Sequence, residues 1–293
     1  MKKHYLALMS MAVLSIALVF GGCGKNDNAA EGTDAAEGTE TVETTEDADT
    51  VEETETTEAT EETEATEATE ATEDVTSADD TEKSEGVMTY AEYVAADFDT
   101  EVVVETYVQA KQSWWEDKAT LYTQDADGAY FIYSCACSQE DYDKLVEGTK
   151  IRVTGYKSEW SGEVEIVDAT FEILEGSYVA TPVDVTELLG SDDLVNYQNQ
   201  KVTFTGMTVE DAGNGEAFMY NWDGSGTDGD DLYFNVSYNG QTYSFTVESY
   251  LCDNTTDVYA AVKNLQIGDT VDLEGFLYWY EGVNPHITAV TVK

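Results

Sequence analysis

Histidine is almost missing from this chain, with only His4 and His286 among 293 residues. His4 lies in an N-terminal stretch that reads as removable, so one histidine remains. That excludes a histidine pair for zinc, and no Ser-His-Asp set is evident. Positive charge is equally scarce: 13 Lys and Arg face 61 Asp and Glu, for a formal net charge of −48. A surface this negative repels nucleic acid and anionic lipid headgroups at long range, so nucleic acid is a disfavoured partner. No paired acid and base stands out, because carboxylate pairs arise by abundance in so acidic a chain. The expectation is a protein that is not an enzyme. A long hydrophobic run is also lacking: the apolar stretch from Tyr5 to Phe20 has 16 residues, too short and wrongly flanked for an ordinary membrane span.

That short run suits an export signal instead. Lys2 and Lys3 precede it, and Gly21-Gly22-Cys23 follow it. Phe20-Gly21-Gly22-Cys23 resembles the lipobox of bacterial lipoproteins, although the usual pattern has Leu at the position of Phe20 and Ala or Ser at that of Gly21. The resemblance implies a signal peptide over 1–22 and Cys23 as a lipidated, palmitate-type anchor. It also implies membrane lipid as a partner and the extracytoplasmic face of the cell membrane as the location. Two or more acyl chains are needed for firm retention. A plain secretory signal is the alternative.

Residues 25–86 carry 24 acidic and 2 basic residues and are nearly all Thr, Glu, Ala and Asp. Such a segment has no apolar face to offset ordering entropy, and like charges keep it open. Residues 23–86 therefore read as a lipidated cysteine with a disordered tether, which reaches about 200 Å when fully extended. Thr-rich segments can also be O-glycosylated.

The remainder, 87–293, contains an internal echo spaced by 120 residues. Leu145 to Tyr156 matches Leu265 to Phe276, and the match continues with Trp160 to Tyr280, Gly162 to Gly282, Val167 to Ile287 and Ala169 to Ala289. The first copy reads as strands at Val102–Gln109, Ala119–Thr123 and Ala129–Ser134, a helix opened by Ser138 and Asp141, and strands at Lys150–Tyr156 and Glu163–Phe171. Tyr142, Leu145 and Val146 are expected on the helix's apolar side. The second copy reads as strands at Lys201–Val209, Leu232–Ser237 and Tyr243–Tyr250, a helix at Asp257–Leu265, and strands at Thr270–Tyr278 and Ile287–Val292. Asn239-Gly240 signals a hairpin. Short helices are expected at Tyr90–Phe98 and around Val185–Leu189. The order β-β-β-α-β-β resembles an OB-fold. The predicted fold class is therefore all-β with short helices: two tandem five-stranded OB-like barrels after the acidic linker, over 87–178 and 199–293, joined by a linker at 179–198. A single β-sandwich is the rival. The chain resembles uncharacterised tandem OB-fold lipoproteins of Gram-positive bacteria.

Binding faces of OB-folds lie across strands two and three, framed by the loops joining strands one to two and four to five. All five tryptophans map to such loops: Trp114, Trp115 and Trp160 in the first copy, Trp222 and Trp279 in the second. With Tyr122, Tyr133, Tyr280 and Lys157 they form the candidate ligand-binding set, and Tyr130 and Phe131 add rings from strand three. Lys111 and Lys118 also lie near these loops. The alternative is that the rings cap barrel ends and fill the core. No cofactor is expected apart from calcium, for which Asp223, Asp228, Asp230 and Asp231 are candidates in a Gly-rich loop. Their spacing is not that of an EF-hand, and a solvated acidic loop is the preferred reading. Cys135, Cys137 and Cys252 read as buried free thiols, with an interdomain disulfide as the alternative. These features favour a non-catalytic, monomeric head that recognises cell-wall carbohydrate or a surface protein. A passive envelope spacer, single-stranded nucleic-acid binding and an uncharacterised enzymatic activity are the alternatives.

Overall fold

The computed structural model describes residues 83–293; the signal stretch, Cys23 and nearly all of the acidic tether lie outside the described residues. Among the described residues, no helix is long and apolar enough to cross a membrane.

The first barrel is entered through α1 (Tyr90–Ala95), which Thr89 and Glu92 cap reciprocally. Its strands are β1 (Glu101–Lys111), β2 (Lys118–Gln124), β3 (Ala129–Ala136), β4 (Thr149–Trp160) and β5 (Glu163–Ser177), with α2 (Gln139–Lys144) between β3 and β4. They close in the order β1-β2-β3-β5-β4. Every pairing is antiparallel except β3 on β5, where Phe131 and Ile132 face Glu165 and Ile166. The β2–β3 hairpin turns where Asp125 accepts the backbone N–H groups of Asp127 and Gly128 at 2.8 and 2.9 Å. Val102, Val104, Leu121, Ile132, Ile151, Val153 and Ile166 fill the interior, and Leu145 plugs it from the end of α2. Ser138 caps α2 as expected, but Val146 is exposed rather than on the apolar side. The helix ends at Lys144, so the helical spacing that placed Val146 inward no longer applies.

The second barrel repeats the plan with β7 (Lys201–Glu210), β9 (Leu232–Tyr238), β10 (Gln241–Val247), α3 (Asp257–Lys263), β11 (Thr270–Phe276) and β12 (His286–Val292). Its sheet closes through the pairing of β7 with β9, and β10 on β12 is again the parallel contact. Two short strands are added at its edges: β6 (Val183–Asp184) beside β7 and β8 (Phe218–Tyr220) beside β9. The Gly- and Asp-rich segment over 210–230 is therefore not wholly loop. Residues 183–197 also contain two 3-10 turns, and Val185 and Leu194 are buried in the second core with Phe204, Phe234 and Phe245. The strand expected to reach Tyr250 stops at Val247, because the chain then turns with Leu251 and Cys252 donating to the Glu248 carbonyl.

The sequence echo has a structural cause. Gly155 and Gly275 are matched positions in β4 and β11, where the barrel-closing strand passes over its neighbour. A Cβ at Gly155 would lie 2.7 Å from Ile166 Cγ2, and one at Gly275 would lie 2.2 Å from the His286 carbonyl oxygen. Both ladders shift register at that glycine. Each barrel thus bends its fourth strand at a residue without a side chain.

Candidate functional site

The face expected to bind ligand in the first barrel is largely covered by the second. Tyr122 on β2 and Phe131 on β3 form a buried cluster with Phe276 from β11. Tyr122 stacks on Phe276 at 4.6 Å, and its hydroxyl is 2.6 Å from His286 Nδ1. Burial pushes the His286 pKa down to about 3, so the ring is neutral at physiological pH. Burial raises the Tyr122 pKa well above the usual phenol value, so Tyr122 keeps its proton, and its hydroxyl and the neutral His286 Nδ1 share one hydrogen bond. Gln112 hydrogen-bonds the Tyr122 side chain and donates from Nε2 to Glu248 Oε2 at 3.1 Å. A polar chain therefore runs from Glu248 of the second barrel through Gln112 and Tyr122 of the first to His286 of the second.

A cleft of about 690 Å³ opens above this chain. Its lining includes Phe131, Tyr133, Tyr233, Tyr278, Tyr280 and Trp222, together with Gln112, Glu248, Glu281, Asn284 and His286. Tyr278 stacks on His286 at 4.2 Å and meets Phe131 edge-on at 5.3 Å, which makes a rigid aromatic floor. A second hollow of about 350 Å³ shares Gln112 and Tyr133 with the first and is lined also by Trp115, Lys118 and Tyr250. Trp115, Tyr133, Trp222, Tyr250 and Tyr280 are 69%, 50%, 74%, 64% and 51% exposed. Exposed aromatic rings from both barrels thus border a groove made of two adjoining hollows.

The candidate residues divide sharply. Trp115, Tyr133, Trp222 and Tyr280 line this groove. Trp160 is exposed but is not in the lining of either hollow, so it does not share a concave face with Trp115. Three residues are otherwise committed. Tyr122 is sealed in the junction. Trp114 is half-buried and donates from Nε1 to the Cys137 carbonyl at 2.9 Å. The Trp279 ring packs where a Gly162 Cβ would stand, and the Trp279 backbone N–H donates to Glu163 Oε2 at 2.9 Å. Lys157 is buried and donates to the carbonyls of Tyr93, Val94 and Ala96 at the end of α1, so it is no anion receptor. Lys111 is likewise engaged, lying 3.7 Å over the Tyr142 ring centre. Tyr233, Tyr250, Glu248 and Glu281 were not singled out from sequence. The match of Trp160 to Tyr280 pointed to the turn that carries Glu281, but nothing local marked the others.

The acidic loop is internally bonded. Asp228 pairs with Lys263 at 2.5 Å, Asp231 accepts from Ser249, Asp230 from the Thr227 N–H and Asp223 from the Ser225 N–H. Among the described residues, no three His, Cys, Asp or Glu side chains gather in a way that could hold a metal ion. Cys135, Cys137 and Cys252 are free and buried, and burial raises each thiol's pKa.

No family model and no curated protein matches the chain. Among solved structures it is similar to a murine DNA-binding protein bound with double-stranded DNA, at 10% identity and TM-score 0.32, covering 65% of this chain and 94% of that one. It is also similar to the Ifi202 HINa domain in complex with double-stranded DNA, at 11% identity and TM-score 0.30, covering 67% and 96% of the two chains. A replication protein A heterotrimer bound to single-stranded DNA gives 11% identity and TM-score 0.30, covering 66% and 49%. Likeness at this level assigns no ligand to this chain. It does correct the expectation that nucleic acid is a disfavoured partner, because net charge alone had carried that exclusion and the matching structures include proteins held on DNA.

Proposed function

We propose that the two barrels form a non-catalytic binding module whose groove takes a ring-bearing ligand, foremost a cell-envelope carbohydrate. One observation carries this reading: five exposed aromatic side chains, from both barrels, line two adjoining hollows. Exposing several large rings on one concave surface is costly unless a partner covers them. Tyrosine and tryptophan present flat apolar faces to a sugar ring, while the Gln112 and Asn284 amides and the Glu281 carboxylate can meet its hydroxyls. Through Cys23, the module is displayed from the extracytoplasmic face of the membrane on its acidic tether.

A nucleobase is the second ring that suits such faces, and Lys118 beside Trp115 supplies a cation for a phosphate at that end of the groove. An array of glycans and peptidoglycan fragments, run beside short single-stranded oligonucleotides on the full chain, tests both. Saturable glycan binding that Trp222→Ala and Tyr133→Ala weaken at least tenfold, and Trp160→Ala leaves intact, is the expected result. Absence of any binding favours a passive envelope spacer and removes the proposal.

A further inference from the structure

The larger hollow carries charge of one sign. Of its described lining residues, only Glu248 and Glu281 are charged, since they include no lysine or arginine and His286 is neutral. Four lysines lie over rings outside the cleft, those of Tyr142, Tyr107, Tyr93, Phe98 and Tyr259. Among the described residues no lysine or arginine lies over a cleft ring, although the ring faces attract positive charge. Glu248 is buried beside Asp231 and hydrogen-bonded by Gln112 and the Tyr250 N–H. Among the described residues, no cation pairs with this carboxylate.

We infer that the ligand of this cleft bears an ammonium group, held among the faces of Tyr133, Trp222, Tyr233 and Tyr280 and neutralised by Glu248 and Glu281. The inference rests on the binding function proposed above and narrows its ligand class to an amine-bearing or quaternary-ammonium molecule. Ring faces supply cation–π attraction and the two carboxylates supply Coulomb attraction, both strengthened by partial exclusion of water. Burial and Asp231 push the Glu248 pKa up to about 7. The hydroxyls of Tyr122, Tyr233 and Tyr278 and the Cys252 thiol share its surroundings, and burial raises the pKa of each. A bound cation favours the ionised Glu248, so affinity for a permanently charged ligand should rise with pH through neutrality.

Calorimetric titration of the full chain with choline, and with the neutral isostere in which carbon replaces its nitrogen, tests the inference. Saturable choline binding about tenfold tighter than that of the isostere is expected. The choline affinity should increase by roughly tenfold between about pH 6 and about pH 8. Glu281→Gln, on an exposed turn, should reduce the preference for charge without affecting folding, and Glu248→Gln should abolish the pH dependence. Equal affinity for the two probes, or no choline binding, overturns the inference. If neutral glycans still bind in that event, only the charge assignment falls; if they also fail, the groove loses its proposed function.

Discussion

Glu163 is the residue whose replacement tests the packing of the two barrels most directly. It is fully buried, and its Oε2 accepts from the Trp279 N–H at 2.9 Å and from Gln198 Nε2 at 3.2 Å. Among the described residues, its Oε1 and the Asn199 Oδ1 are both buried without a hydrogen-bond partner. A proton on Oε1 supplies the donor that these two oxygens lack. Burial accordingly raises the pKa from 4.5 to about 8. A carboxyl with a folded pKa above its unfolded value holds its proton more tightly when folded. Stability is therefore greatest below about pH 4.5 and falls until about pH 8. At about 1.4 kcal/mol per pH unit, the loss reaches roughly 3 kcal/mol by neutral pH. Glu163→Gln keeps the shape, replaces the O–H donor with an amide N–H and cannot ionise. The variant should match the wild type near pH 4.5 and exceed it by roughly 3 kcal/mol near pH 7. Denaturant unfolding followed by tryptophan fluorescence at several pH values measures this. A variant no more stable than the wild type at pH 8, or a difference independent of pH, would refute a neutral Glu163.

Other substitutions probe separate links of the argument. Gly275→Ala should lower stability by about 3 kcal/mol in thermal melts, because its Cβ meets the His286 carbonyl oxygen and backbone must move. Gly155→Ala should cost less, since its closest contacts, the Ile166 side chain at 2.7 Å and the Val167 carbonyl oxygen at 2.8 Å, stand farther off than the 2.2 Å at Gly275. Lys157→Met leaves three α1 carbonyls without their donor and should cost about 2 kcal/mol, with ligand titrations unchanged. Tyr122→Phe strands the buried His286 Nδ1 and should cost about 1–3 kcal/mol by denaturant unfolding. An unchanged midpoint for either of these last two variants would contradict the bonding described for it.

Much of the fold was legible because its signals are local. Ser138 and Asp141 mark a helix start, Asn239-Gly240 a hairpin and alternating apolar residues the strands, and each acts within a few neighbours. The repeated Gly155 and Gly275 were visible as an echo, whereas their reason, a backbone crossing within 3 Å of any added Cβ, needed the closed barrels. The candidate site was half legible. Loop position anticipated that Trp115, Trp222 and Tyr280 are exposed, since a loop at the barrel mouth tends to leave large rings near solvent. Tyr122 and Lys157 are buried by contacts distant in sequence, which no local signal carries.

The chain's composition alone fixed its charge, its low histidine content and its division into an acidic segment and a repeated β-rich region. Those properties follow from side-chain counts and short-range periodicity. Which aromatic rings face solvent was decided only when the second barrel packed across β2 and β3 of the first. That contact buried Tyr122, enclosed the Glu163 carboxyl and brought Tyr133 beside Trp222, some 90 residues apart in sequence. Burial, pKa and cleft shape are properties of surfaces brought together over long sequence distances, and no local pattern encodes them.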